Sequence, residues 1–478
     1  MKIYIGIDVG TTSLKAIALG ERGECLATAK SAYELLACGA EATQNANDWY
    51  EAAVSAIREI AGKVKDLGEI QAISVSAQGG ATVLLDEFGN TMTPAYSWMD
   101  NRSVRESEEL KNIFGDELFY SRYGWRMQPN SDAAKLLWMK KNIPEIYESA
   151  AAFPSTLGFI NLRLTGRIVE DPTCAAIRRL YDINERKISP DLLDHLGLPE
   201  DKLPEMLPSG AFVGNLTAEA ASRTGLSESV RVYNGAHDQY CASIGSGTVE
   251  VGQLMLATGT AWVLLGVTEK PLFGKSRISP CIHPAGGYGA LSTVSGIGAA
   301  FEWLSRLTNT PIPELSAGAE QRKGKNDSLF FRPSATGTGL LIGGSVGAHI
   351  TGLTIGHDKY DLALALMEGA AFETALVIEE YKKSGMGTPR SITMSGGATA
   401  SRFWQSLIAD VTGLEVSADK QTDSPALGAA ILAWASDSGV EITKTKRAEG
   451  SRKVSPSEYS EYYQTKFKSY KEWRRSHK

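Results

Sequence analysis

Apolar residues run almost unbroken from Ile3 to Val9, stop at Gly10-Thr11-Thr12-Ser13, and resume from Leu14 to Leu19. Runs of this length bounded by turn residues predict a strand hairpin with at least one buried face. A turn at Gly20-Glu21-Arg22-Gly23 leads to a third strand over 25–29. A helix opens at Asn47-Asp48-Trp49, with Asp48 as its cap and Ala52, Ile57, Ile60 and Val64 near one face. Residues 70–76 form a buried strand that delivers Gln78-Gly79-Gly80 to a loop, and strand continues over 81–85. A polar helix begins at Met99-Asp100-Asn101-Arg102-Ser103. Residues 105–230 are more helical, with an amphipathic helix over 132–141 whose apolar face is Leu136, Leu137 and Trp138. Residues 230–233 are again strand, running into the turn Asn234-Gly235-Ala236-His237-Asp238-Gln239; a helix follows, so Asp238 lies close to its N-terminus.

The opening pattern then returns. Leu254-Met255-Leu256-Ala257, Thr258-Gly259-Thr260 and Ala261-Trp262-Val263-Leu264-Leu265 repeat strand, turn, strand about 250 residues later, with Ala257 where Asp8 stood. Two domains of related architecture facing one cleft are expected; chance similarity of two Gly-Thr hairpins is the alternative. Further on, the pattern predicts helices over 296–304, 360–382, 401–412 and 425–434, strands over 391–394 and 414–417, and a glycine-rich stretch over 340–356. The tail carries Tyr459, Tyr463, Phe467, Tyr470 and Trp473 at helical spacing, a stripe suited to docking on another surface, including that of a homodimer partner.

Composition narrows the classes. The 478 residues are too many for one core, and 43% hydrophobic with 22% charged residues is ordinary for a globular chain. A net charge of −6 argues against nucleic-acid and membrane-surface binding. No apolar stretch reaches the roughly 20 residues of a transmembrane helix, and no signal-like segment precedes the first strand. The five cysteines are scattered without a Cys-x-x-Cys pair, so neither a zinc site nor a disulfide framework is indicated and a cytoplasmic location is expected.

The hairpin turns carry the candidate chemistry. Turn N–H groups with Thr and Ser hydroxyls cradle phosphate oxygens, and a carboxylate beside them, Asp8, suits a hydrated Mg²⁺. An exposed Asp on an ordinary polar turn is the plain alternative. Two phosphate turns with a carboxylate before a helix point to phosphoryl transfer, in which Asp238 accepts a hydroxyl proton; a simple helix cap is the other reading of Asp238. His237 reads as a bystander. Gly274-Lys275-Ser276 ends like a phosphate-binding Walker loop, but Glu269 stands where its first glycine belongs.

Five segments in this order resemble the FGGY carbohydrate kinases: Ile5-Gly6-Ile7-Asp8-Val9-Gly10-Thr11-Thr12-Ser13, Trp98-Met99-Asp100-Asn101-Arg102, Gly235-Ala236-His237-Asp238-Gln239, Leu256-Ala257-Thr258-Gly259-Thr260 and Ser395-Gly396-Gly397-Ala398. The resemblance spans essentially the whole chain. It implies an α/β fold of two ribonuclease H-like domains of the actin and hexokinase type with a catalytic cleft between them. Residues 1–248 would carry the sugar site, first phosphate loop and catalytic Asp, and 249–478 the second phosphate loop and adenosine site. The implied reaction moves the γ-phosphate of ATP, with Mg²⁺, to a hydroxyl of a ketose such as xylulose or ribulose. A polyol, hexulose or aldonic acid, or a non-catalytic sugar- and nucleotide-binding role, is the alternative.

By the same resemblance Asp8 holds the metal, Gly10, Thr11, Thr12 and Lys15 form the first phosphate loop, and Asp238 is the base. Thr258, Gly259 and Thr260 form the second loop, Gly298 and Glu302 line the nucleotide site, and Gly396, Gly397 and Ser401 flank the adenosine. Gln78, Gly79, Gly80, Trp98, Asp100, Arg102 and Gln239 join Asp238 around the sugar, with a local salt bridge as the alternative for Asp100 and Arg102. Lys135-Leu136-Leu137-Trp138 resembles a structural helix of xylulokinases. Two departures stand out. Gly79 and Gly80 replace side chains that bind substrate hydroxyls in relatives, which implies a roomier pocket, and residues 337–344 lack the Gly-Glu-Arg-x-Pro usual in xylulokinases.

Overall fold

The hairpin that opens the chain forms the middle of a six-stranded sheet. Its strands are β1 (Lys2–Val9), β2 (Ser13–Gly20), β3 (Cys25–Ala32), β4 (Glu69–Ala77), β5 (Phe212–Asn215) and β6 (Arg231–His237). They lie in the order β5-β6-β4-β1-β2-β3. β1 pairs antiparallel with β2 and parallel with β4, and β4 pairs parallel with β6. Helices cover both faces of these central strands, which is why β1 is a continuous apolar run rather than an alternating one.

This computed structural model describes residues 1–274, 278–325, 328–333, 347–418, 423–445 and 452–476. Lys275, Ser276 and the departure at 337–344 lie outside the described residues, as do residues 340–346 of the glycine-rich stretch over 340–356. The second sheet is built from β7 (Gln253–Thr258), β8 (Trp262–Thr268), β9 (Tyr288–Ser295), β10 (Ser391–Gly396), β11 (Glu415–Ala418) and β12 (Arg452–Val454). Within its seven strands the run β9-β8-β7-β10-β11-β12 repeats the first sheet's order. The senses repeat too: an antiparallel hairpin, two parallel neighbours, and an antiparallel edge strand. Matching order over six strands, with matching sense over five of them, rules out chance likeness of two turns.

The chain divides into two compact units, Met1–Val249 with Pro280–Tyr288 and Asp423–Ala448, and Glu250–Ser279 with Gly289–Thr422 and Glu449–Lys478. These compact units interleave along the chain. Helix Ser424–Ser438 returns to the first unit because it is apolar nearly all round and packs on β1, β4 and helix Asp238–Ser246. Gly428 faces the backbone of Cys241, and Gly245 faces that of Ser424. Any side chain at either glycine would overlap main chain, so this crossing is backbone against backbone.

Several local expectations change. Helix Ala46–Val64 is capped by Asn45, whose side chain accepts the Asn47 N–H at 3.1 Å; Asp48 sits in the first turn, where a carboxylate favours the helix dipole. Residues 81–85 make only isolated bridges, to Tyr96, Thr91 and Ala152. β6 extends to His237, so the expected turn at 234–237 is strand. The polar helix starts at Val104, beyond the Asp100–Ser103 stretch.

The aromatic tail is helix Ser460–Ser476, and its stripe is covered within its own unit. Tyr463, Phe467 and Tyr470 are buried, Phe467 stacks on Phe372 at 5.6 Å, and Lys466 meets Glu368 at 2.7 Å. These side chains are not available to a homodimer partner. Among the described residues no helix is long and apolar enough to cross a membrane.

Candidate active site

In the first unit, register brings three predicted residues to one end of the sheet. Asp8 on β1 lies opposite Lys15 on β2 and Ser76 on β4, and His237, the last residue of β6, lies beside Ala77. Asp238 follows immediately and opens helix Asp238–Ser246. The Ser76 hydroxyl donates to Asp8 Oδ1 at 2.7 Å, and Lys15 Nζ meets Asp423 Oδ1 at 2.6 Å, beside the start of the returning helix. Burial, then the charge of neighbouring Asp238, pushes the Asp8 carboxyl from an ordinary 3.8 up to about 7, against the opposing pull of Ser76 and Lys15. A buried carboxyl pressed in this way by a neighbouring carboxylate makes a place where a cation is favourable.

The first turn is held through its carbonyls. The Tyr33 hydroxyl donates to Gly10 O at 2.6 Å, and Gln44 Nε2 donates to Thr11 O at 2.7 Å. Trp98 Nε1 donates to the Thr11 hydroxyl at 3.0 Å. Gln78 Nε2 in turn donates to Gln44 Oε1 at 2.9 Å, so the Gln78 loop and the Gly10–Thr12 turn form one network. Neither Tyr33 nor Gln44 was singled out in the sequence. Both sit in short polar stretches with no periodic signal.

Lys135 is the other anchor. Fully buried, its ammonium donates to Gly80 O at 2.6 Å and Ser97 O at 3.0 Å, and meets Asp132 at 2.8 Å. It thus ties the Gly79–Gly80 loop to the Trp98 segment. Asp132 is shared with Arg178, which also meets Glu170, so the charges are paired as burial demands.

Asp100 is not open to a ligand. It is fully buried, and both oxygens are taken by Arg102, at 2.9 Å to Oδ1 and 2.7 Å to Oδ2, with the Ala42 N–H at 2.8 Å. The Arg102 guanidinium lies over the Tyr96 and Trp138 rings at 4.8 and 5.0 Å. The salt-bridge alternative describes this pair, which shapes the loop. Nor is the Gly79 region roomier: a Cβ there would overlap the His237 ring. Gln78 Oε1, Asp238 Oδ1 and Gln239 Oε1 are among the side-chain oxygens buried without a hydrogen-bond partner.

The second unit carries a cavity of about 660 Å³ bounded by the second hairpin turn, helix Ile297–Thr308 and the loop after β10. Thr258, Gly259, Thr260, Gly298, Glu302, Gly397 and Ser401 all line it. Gly396 stands just behind, paired with Thr258. The Thr258 hydroxyl is occupied, donating to Ser395 O at 2.6 Å and accepting the Ala398 N–H at 3.1 Å, so it fixes the turn. Gly298 lies against the Gly259 carbonyl with no room for a Cβ. The floor is aromatic, with Trp262 and Trp404 at 4.8 Å and Phe301 at 5.8 Å from Trp404; helix Ile312–Glu320 supplies a further wall. Neither the aromatic floor nor that wall was foreseen, since such residues read as core.

Residues 3–245 match the N-terminal domain, and 254–436 the C-terminal domain, of the FGGY family of carbohydrate kinases. The chain belongs to this family. The xylulose kinase of Bacillus subtilis (strain 168) is 28% identical over 443 residues, covering 91% of this chain and 88% of its own. The gluconokinase of Bacillus licheniformis is 24% identical over 443 residues, covering 90% and 86%. The crystal structure of xylulose kinase from Rhodospirillum rubrum superposes with a TM-score of 0.88 at 25% identity, covering 99% of this chain and 98% of that one. This FGGY kinase is therefore a phosphotransferase with an alcohol group as acceptor, acting on a small sugar-type substrate with ATP as donor. Among its described residues no group of three or more His, Cys, Asp or Glu is arranged to hold a metal ion.

Proposed function

We propose that the kinase phosphorylates a hydroxyl of a ketose such as xylulose or ribulose, with Asp238 as general base. The observation that carries this reading is the Asp238 carboxylate itself. It stands at the first position of a helix, beside Asp8, with a buried oxygen that makes no hydrogen bond within the protein. A hydroxyl donor meets that need, and Gln78 Oε1 and Gln239 Oε1 ask for donors of the same kind. A polyhydroxylated, uncharged reacting end suits three orphan acceptors better than a carboxylate does. Polyols, hexuloses and aldonic acids are the competing acceptors.

In the reaction, the acceptor oxygen forms a bond to the γ-phosphorus while its proton passes to Asp238. The bond from that phosphorus to the bridging oxygen breaks, and ADP leaves with the electron pair. Turn N–H groups of Thr11 and Thr12, with Lys15, receive phosphate oxygens, while the Gly10 N–H closes the turn onto Ser13 O at 3.2 Å. The second unit's turn at Gly259 and Thr260 and its cavity receive the nucleotide, with the base against Gly298, Gly397 and Ser401. The donor set fits Mg²⁺ held through its waters, since one or two carboxylates suffice for that ion and Asp8 is a desolvated one. Bound there, the ion would neutralise charge on the phosphates.

The test is ADP release from magnesium ATP across D-xylulose, D-ribulose, glycerol, D-fructose and D-gluconate. A ketose raising turnover by orders of magnitude, and failing to do so in Asp238→Ala, supports the reading. Stimulation by gluconate or glycerol alone replaces the acceptor class, and ATP binding with a flat panel favours a non-catalytic binding role.

A further inference from the structure

The sector that Gly79 leaves empty is filled by His237. A Cβ on residue 79 would stand 2.7 Å from His237 Nε2 and 2.9 Å from Ile177 Cδ1, and would overlap the imidazole Cδ2. His237 therefore does at this wall what a side chain at position 79 would otherwise do. We infer that His237 is a specificity-determining residue of the acceptor site, and that its Nε2 binds the acceptor oxygen on the carbon next to the phosphorylated hydroxyl. This rests on the proposed role of Asp238.

The geometry carries the inference in three steps. His237 Nε2 lies 3.3 Å from Asp238 Oδ1, the oxygen left without a hydrogen-bond partner. Oxygens on adjacent carbons of a sugar lie about 3 Å apart, close to a single hydrogen-bond length, so one group on Asp238 and the next on Nε2 match a vicinal pair. Secondly, the imidazole is a neutral or charged donor in most of its states. It can give an N–H to a hydroxyl or to a ketose carbonyl oxygen, neither of which a carboxylate can serve as donor. Thirdly, the ring is held rather than free. Its backbone N–H donates to the Thr173 hydroxyl at 2.8 Å, which in turn donates to the buried Asp171 at 2.7 Å. Its ring meets the Tyr240 edge at 6.1 Å, and Tyr240 is backed by the buried His283, itself 3.1 Å from the Ser243 hydroxyl. With about 6% of its surface exposed, His237 has little freedom to turn away.

The prediction is reciprocal. Gly79→Ala places a methyl in the ring's space and lowers thermal stability; His237→Ala in the same chain removes the clash and restores it. For function, kcat and KM are measured with D-xylulose, D-ribulose, glycerol and D-gluconate for wild type, His237→Ala, His237→Asn and Gly79→Ala/His237→Ala. The best acceptor is then compared with its analogue lacking the oxygen next to the phosphorylated position. Wild type discriminates against that analogue by tenfold or more in kcat/KM. In His237→Ala the discrimination falls to within threefold, through a raised KM for the full acceptor with kcat changed far less, and His237→Asn recovers part of it. Discrimination unchanged in His237→Ala, or a Gly79→Ala defect that His237→Ala does not relieve, overturns the inference. Asp238→Asn is run alongside: if it retains turnover, the base assignment fails instead, and if none of the four compounds is turned over by wild type, the inference is rejected with the acceptor class it assumes.

Discussion

Replacing Asp8 by Asn should stabilise the metal-free protein, and only above mildly acidic pH. The carboxyl is raised from 3.8 to about 7, first by burial and then by Asp238. A carboxyl whose folded value lies above its unfolded one makes the folded state lose stability as pH climbs from about 4 to about 7, because the unfolded chain releases the proton first. Each tenfold change is worth about 1.4 kcal/mol, so the full penalty at pH 8 has a ceiling of about 4 kcal/mol. The side chain keeps some contact with solvent, which brings the realised figure to roughly 2 kcal/mol. At roughly 2 °C per kcal/mol for a unit of this size, Tm should rise by about 4 °C at pH 8. Asn retains an acceptor for the Ser76 hydroxyl, so that contact is not lost. Thermal unfolding in EDTA from pH 5 to 8.5 reads the effect, with the gap between variant and wild type opening as pH rises. Excess Mg²⁺ should narrow it. A gap independent of pH, or a variant less stable than wild type at pH 8 without metal, refutes the electrostatic reasoning.

Two further perturbations follow from geometry. Lys135→Met leaves the Gly80 and Ser97 carbonyls and part of Asp132 unsatisfied inside the protein, and should cost about 3 kcal/mol in urea unfolding, with a raised acceptor KM; a loss below about 0.5 kcal/mol would show the anchor to be dispensable. Gly298→Ala forces a methyl against the Gly259 carbonyl, and should weaken ADP binding by about tenfold in calorimetry at little cost to global stability, whereas unchanged affinity would mean that the turn yields freely.

Much of the fold was legible because the two hairpins announce themselves as apolar runs broken by Gly and Thr. Burial on both faces makes such runs, and the repeat of strand, turn, strand then foretold two related sheets. The packing place of helix Ser424–Ser438 was not legible, because it rests on Gly245 and Gly428, nearly 200 residues apart, and no local pattern encodes that meeting. The same limit applies to the tail: periodic aromatics say that a helix docks, not that Phe372 of its own unit receives it. At the site, Asp8 and Asp238 were singled out through the turns beside them, and strand register and the start of helix Asp238–Ser246 bring them to one end of the sheet. For Asp100 the sequence left ligand contact and local salt bridge open, because an Asp-Asn-Arg stretch looks alike whether its charges face a ligand or each other. His237 was passed over as a lone histidine, since only the backbone register that sets it against Gly79 reveals what it fills. Trp262 and Trp404 escaped notice because aromatic cavity walls and aromatic cores have the same composition.

The most direct test of the account is single-turnover phosphoryl transfer by Asp238→Asn, with ATP affinity measured on the same protein. Loss of the proton acceptor should slow transfer to the best acceptor by at least a thousandfold, while ATP binds within about threefold of wild type. Transfer within tenfold of wild type would contradict the assignment of Asp238 as the base on which the proposed mechanism depends.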